Sequence, residues 1–190
     1  LILLHGRGAT AESILPLAAA MQAESYAVFA PQARQNTWYP QRFIMPREQN
    51  EPYLSSALAT LQRLITQIND AGLTTDKIVL AGFSQGACLV SEFVAQNPRR
   101  YGGLLVFSGG LIGTGPEVSV DLYSGDLTGT PVFIGCSDVD MHIPLERVQK
   151  SSKILTALGA KVEERIYPHM GHTINRDEIN QARALLQNLT

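Results

Sequence analysis

Short, continuous apolar runs alternate along this chain with longer stretches of helical periodicity, and that alternation restricts the fold more than any other feature. The runs are Leu1 to Leu4, Tyr26 to Ala30, Lys77 to Ala81, Gly103 to Phe107, Pro131 to Gly135 and Lys161 to Ile166. Rich in Val, Ile, Leu and Phe, they read as strands covered on both faces rather than half-solvated ones. The clearest helical pattern, Tyr53 to Ala71, carries Leu54, Leu58, Leu61, Leu64, Ile65 and Ile68 on one stripe. Pro52 suits its first turn and Gly72 its stop. Further helices are expected from Ala11 to Gln22, Gly86 to Gln96, Leu145 to Leu158 and Arg176 to Leu189. Strand and helix in alternation, joined by right-handed crossovers, give an α/β fold: a mostly parallel central sheet with helices on both faces.

The 190 residues, 45% of them hydrophobic, suffice for one domain over residues 1–190 with a substantial core. A formal net charge of −2 gives no electrostatic reason for a nucleic-acid partner or an anionic membrane. No apolar run approaches the roughly 20 residues of a bilayer span, so no stable membrane insertion is expected. Cys88 and Cys136 are too few for a disulfide framework and sit in apolar stretches, as buried reduced thiols do; a cytoplasmic location is expected. The chain opens without Met and already inside an apolar run, so further residues, a leader among the options, are expected ahead of Leu1. Self-association is not legible in the sequence, and a homodimer is compatible with it.

In open parallel sheets, sites gather at the carboxyl ends of the strands. There the chain places His5-Gly6-Arg7-Gly8, Gly82-Phe83-Ser84, Cys136-Ser137-Asp138-Val139-Asp140 and Pro168-His169-Met170-Gly171-His172. Gly82, Ser84 and Gly86 form G-x-S-x-G at a strand-to-helix junction. Such a sharp turn strains its central residue and pushes the hydroxyl outward, while side chains two positions either way would collide with the strand or helix. The helix beginning behind the serine adds unpaired N–H groups and partial positive charge where negative charge develops during acyl transfer. The pattern by itself also arises by chance. Its weight comes from partners in the order nucleophile, acid, base: Ser84, then Asp138 and Asp140, then a histidine.

A serine hydroxyl needs a base, and the base needs a carboxylate to orient it. Of the four histidines, His5 suits backbone support beside the first strand, and His142 reads as a solvated loop residue. His172 is favoured over His169 because Gly171 lends its loop reach and the final helix follows at once. Residue chemistry does not separate Asp138 from Asp140, since side chains two apart in an extended loop face the same way.

The segments LLHGRG, AGFSQG, DVDMHIP and HMGHT resemble the phospholipase/carboxylesterase family of the α/β-hydrolase fold, which includes acyl-protein thioesterases. The resemblance runs over essentially the whole chain. It implies a catalytic aspartate four residues before a proline, which Asp140 and Pro144 match with Met141 in place of the family's first proline. It aligns His172 with the base, the loop glycine being displaced, and leaves His169 as a substrate-contacting candidate. It also implies one or two sheet strands ahead of Leu1.

The oxyanion of acyl transfer needs pre-aimed N–H donors, each worth about 3 kcal/mol when removed. The Gln85 amide, next after the nucleophile, is one candidate; position and the family resemblance make the Arg7 amide the second. The Arg7 side chain is expected to be a solvated charge, with contact to an acidic leaving group as the alternative. Residues 108–130 are too short and glycine-rich for a separate lid domain. The loop from Pro31 to Glu51 carries Trp38, Tyr39, Phe43, Ile44 and Met45, candidates to wall an acyl pocket or to form a small core of their own.

The expected activity is a serine carboxylesterase acting on small to medium acyl esters through a Ser84-His172-Asp140 triad and an acyl-enzyme. A thioesterase or lysophospholipase with the same triad is the alternative. The expected partner is a small-molecule ester or thioester, with no cofactor and no metal. A metal centre drawn from Asp138, Asp140, His142, His169 and His172 would leave the glycine-flanked serine without a role, and no helical H-x-x-x-H pair supports it. A hydrolase-fold binding protein with little turnover is a third possibility, weakened by the full set of candidate catalytic groups.

Overall fold

Five strands form one parallel sheet in sequential order: β1 (Ile2–Leu4), β2 (Val79–Phe83), β3 (Gly103–Phe107), β4 (Pro131–Ser137) and β5 (Lys161–Tyr167). The computed structural model describes residues 1–189. Five α-helices connect or flank the strands: α1 (Ala11–Ala20), α2 (Tyr53–Asp70), α3 (Gln85–Gln96), α4 (Leu145–Ala157) and α5 (Arg176–Gln187). Every helix lies within two residues of its expected ends, and Gly72, at φ +97°, follows the C-terminus of α2 in the left-handed region that glycine tolerates.

Side chains on successive strand residues point to opposite faces, which sorts the core into two layers. Ile2, Leu4, Leu80, Leu104, Val106, Val132 and Ile134 pack with the inner residues of α2, α3 and α4. Leu3, Val79, Ala81, Leu105, Phe107 and Phe133 pack with Ile14 and Ala18 of α1 and Ala182 and Leu186 of α5. Helix α3 is buried from Gln85 through Ala95. Each Leu or Val fully removed from water there stabilises by about 1.5–3 kcal/mol, so the helix forms a firm backing for the turn that precedes it.

Two strand expectations are corrected. Residues 26–30 do not form a strand: Phe29 makes a single parallel bridge to Ile2, with Leu3 N–H donating to Phe29 O and Phe29 N–H to Leu1 O. The segment is extended, but only one residue of it pairs. Strand β5 is not covered on both faces; it lies at the sheet edge, and Lys161 and Glu163 are exposed. An edge strand with charged outward positions resists pairing with another chain. Residues 108–130 hold one short 3-10 turn, Val120–Leu122, and no lid domain. Among the described residues no helix is long and apolar enough to cross a membrane.

Candidate active site

The β2–α3 turn places Ser84 at φ 56°, ψ −119°, a conformation a side-chain-bearing residue adopts only under constraint. The constraint is steric. A Cβ on Gly82 would lie 2.5 Å from the Gly86 carbonyl carbon, and one on Gly86 would run into the Leu4 carbonyl group. Helix and strands therefore close on the turn from both sides. The Ser84 amide is held by Phe107 O at 3.0 Å, and Ser84 O accepts from Cys88 N–H at 3.0 Å.

From this turn the hydroxyl reaches the base loop. Ser84 Oγ lies 2.8 Å from His172 Nε2, and His172 Nδ1 lies 2.7 Å from Asp140 Oδ2. The second oxygen of Asp140 accepts from the amides of His142, 2.8 Å, and Ile143, 3.0 Å. The Asp140 side chain is wholly buried, which alone would push its carboxyl up. The hydrogen bonds from His172 and the two amides outweigh that, and the carboxyl is held below its ordinary value. The His172 ring is further fixed by Phe83, centroids 4.9 Å apart, and by the edge of His142 at 4.8 Å.

Asp138, which residue chemistry could not separate from Asp140, faces elsewhere: its Oδ1 accepts from the His169 amide at 2.8 Å and braces the base loop. That loop ends in a capping box at α5, where Asn175 Oδ1 accepts from Glu178 N–H and Glu178 Oε2 from Asn175 N–H. The N-x-x-E pattern was readable, but it announces a helix start and not a support for the base. Glu178 is fully buried with Oε1 unpartnered; burial pushes its carboxyl up to about 7 against the lowering effect of the Asn175 amide.

Beside Ser84 lies a cavity of about 320 Å³ walled in part by Tyr39, Phe43, Phe83 and Ile143. Three expectations change here, those for Trp38, His169 and Gly171. Trp38 is buried and turned away, its Nε1–H donating to His5 O, so it backs the wall without lining it; Tyr39 does line it. His169 stands on an exposed turn outside the cavity, drawn away by the bond to Asp138. His142 is an exposed loop residue, as expected, and it also borders the cavity, because the amide bonds to Asp140 curl its loop over His172. Arg7 is exposed, as expected, but its guanidinium is not loose: it bridges the carbonyls of Tyr39, Pro40 and Gln41 at 3.0, 2.8 and 2.7 Å. Gly171, credited with loop reach, has no left-handed backbone and open space around its Cα. The loop needs no glycine there.

Gln85 has a side-chain role that no motif announced. Its Oε1 accepts from Trp38 N–H at 2.9 Å and its Nε2 donates to Tyr39 O at 2.8 Å, tying the 31–51 loop to the head of α3. The backbone amide of Gln85 opens α3 and has no acceptor within the helix. His5 supports backbone as expected, its Nε2 accepting from Ala33 N–H at 3.1 Å. Cys88 and Cys136 are buried free thiols, each pushed up to about 12 by burial.

A family model described as phospholipase/carboxylesterase matches residues 1–190. A crystal structure of a phospholipase/carboxylesterase from Dyadobacter fermentans superposes with a TM-score of 0.94 at 43% identity, covering 98% of this chain and 88% of that one. Acyl-protein thioesterase 1 of Gibberella zeae is 31% identical over 124 residues, 65% of this chain and 53% of the relative. The chain thus matches about half the length of such relatives. SOBER1 of Arabidopsis thaliana has the same fold, with a TM-score of 0.81 at 20% identity over 99% of this chain and 97% of that one. The architecture is that of an α/β-hydrolase.

Proposed function

The chain belongs to the phospholipase/carboxylesterase family, and from that premise we propose that it is a serine carboxylesterase working through an acyl-enzyme. The reading rests on one observation, the file Ser84 Oγ, His172 Nε2, His172 Nδ1, Asp140 Oδ2, with its two gaps of 2.8 and 2.7 Å. In that file His172 takes the serine proton as Oγ attacks the ester carbonyl. Asp140 keeps the Nδ1–H tautomer and stabilises the imidazolium that forms. The tetrahedral oxyanion is received by the backbone amides of Arg7 and Gln85, at the positive end of α3. His172 then returns the proton to the departing alkoxide, and water repeats the cycle in reverse to release the acid. No cofactor or metal takes part.

A cavity of about 320 Å³ suits a small to medium ester, being at the lower end of ligand pockets. A thioester passes through the same intermediate, and the name of the Gibberella zeae relative favours that second reading. The free, buried thiols accord with a reducing, cytoplasmic setting. The test is hydrolysis of p-nitrophenyl esters of graded acyl length, with one acyl thioester, by the native protein and Ser84→Ala. The variant is expected to lose about four or more orders of magnitude in kcat. Comparable rates from both proteins would overturn the assignment.

A further inference from the structure

We infer that the ester taken by this site carries a carboxylate or similar anionic group, received at the cavity mouth by Arg42. The inference rests on the esterase reading and names its substrate class. Two arginines, Arg7 and Arg42, border the cavity, and no aspartate or glutamate does. Among the described residues neither is ion-paired to a carboxylate. Arg47, by contrast, is neutralised by the buried Glu92.

The two cations differ in what they can do. Arg7 is pinned by three carbonyls, so its charge is fixed in place and its donors are largely used. Arg42 is exposed, and its guanidinium makes one long contact, Nη2 to the His142 carbonyl at 3.5 Å. That contact sets it against the loop bearing Asp140, with its remaining donors free for a planar, two-oxygen acceptor. The carboxylate of the triad, Asp140, is wholly buried and already bonded to His172 and two amides, so it does not answer this charge. An acyl or alkyl chain lying on Phe43, Phe83 and Ile143 and ending in an anion meets both halves of the cavity. A cationic ester is repelled there.

The experiment compares charged esters with neutral isosteres: mono-p-nitrophenyl adipate against p-nitrophenyl hexanoate, and 3-(4-acetoxyphenyl)propionate against 4-propylphenyl acetate. The first pair puts the anion on the acyl side and the second on the leaving group. In at least one pair kcat/KM should favour the anionic ester, with the preference shrinking at high salt. Arg42→Gln should cut that preference about three- to tenfold, through KM, and Arg42→Glu should cut it further. Neutral esters hydrolysed at least as well as charged ones in both pairs, or a preference indifferent to Arg42→Glu, would overturn the inference while the esterase reading stands. If no ester of either charge is turned over, the esterase reading falls and takes this one with it.

Discussion

The serine turn and the base loop meet at a single hydrogen bond, yet they are held in place by different physics. Residues 82–88 are confined by backbone contact: Gly82 against α3, Gly86 against β1, and buried side chains of α3 behind. Residues 168–175 lie in a partly exposed loop and are steered by a handful of directional bonds from Asp138, Asp140 and Glu178. The nucleophile is thus fixed by what cannot fit, and the base by what can bond. The first device is written in a short motif, whereas the bonds from Asp138 and Asp140 join residues more than thirty positions apart.

After loss of the nucleophile itself, the largest effect belongs to the bond that joins the base to its acid. Asp140→Asn should lower kcat by about three to four orders of magnitude with the fold intact, because the amide favours the wrong imidazole tautomer. A loss under tenfold would sink Asp140 as the acid. Next come the two glycines. Gly86→Ala should destabilise by about 3 kcal/mol or more, lowering Tm by roughly 6–12 °C, since the neighbour it meets is backbone. Gly171→Ala should change stability by no more than about 0.5 kcal/mol, there being nothing within 4 Å of the added Cβ. Equal melting temperatures for the two variants would break the comparison.

Glu178 offers a pH test of the base loop. Its folded carboxyl is raised from 4.5 to about 7, so between those values the folded protein binds more protons than the unfolded chain. Its contribution to stability therefore falls as pH rises through that window and levels off above it. Glu178→Gln should remove this slope in thermal melts followed from acid to neutral pH, while keeping an acceptor for the Asn175 amide. An unchanged slope would show that the buried carboxyl does not titrate there. The smallest effect is expected of Asp138→Asn, which retains an oxygen for the His169 amide: kcat within about threefold of the native value, against thousands for Asp140→Asn.

The sequence by itself determined the two-faced parallel sheet, the helices to within two residues, and the glycine-flanked serine turn. Each of these is local: apolar spacing declares which face is buried, and a turn that tolerates no Cβ must be written as glycine. The order serine, aspartate, histidine was legible for the same reason, since each group follows a strand end. Residues 26–30 had the composition of a strand and failed for lack of a partner beyond one bridge, which no local pattern records. Asp140 was singled out by the family resemblance and not by its own chemistry; the tertiary structure alone shows that it faces His172 while Asp138 faces His169, that His142 folds over the site, and that Trp38 turns away from it. Loop side chains point where distant partners hold them, and the direction of a hydrogen bond is not encoded in the spacing of the residues that make it.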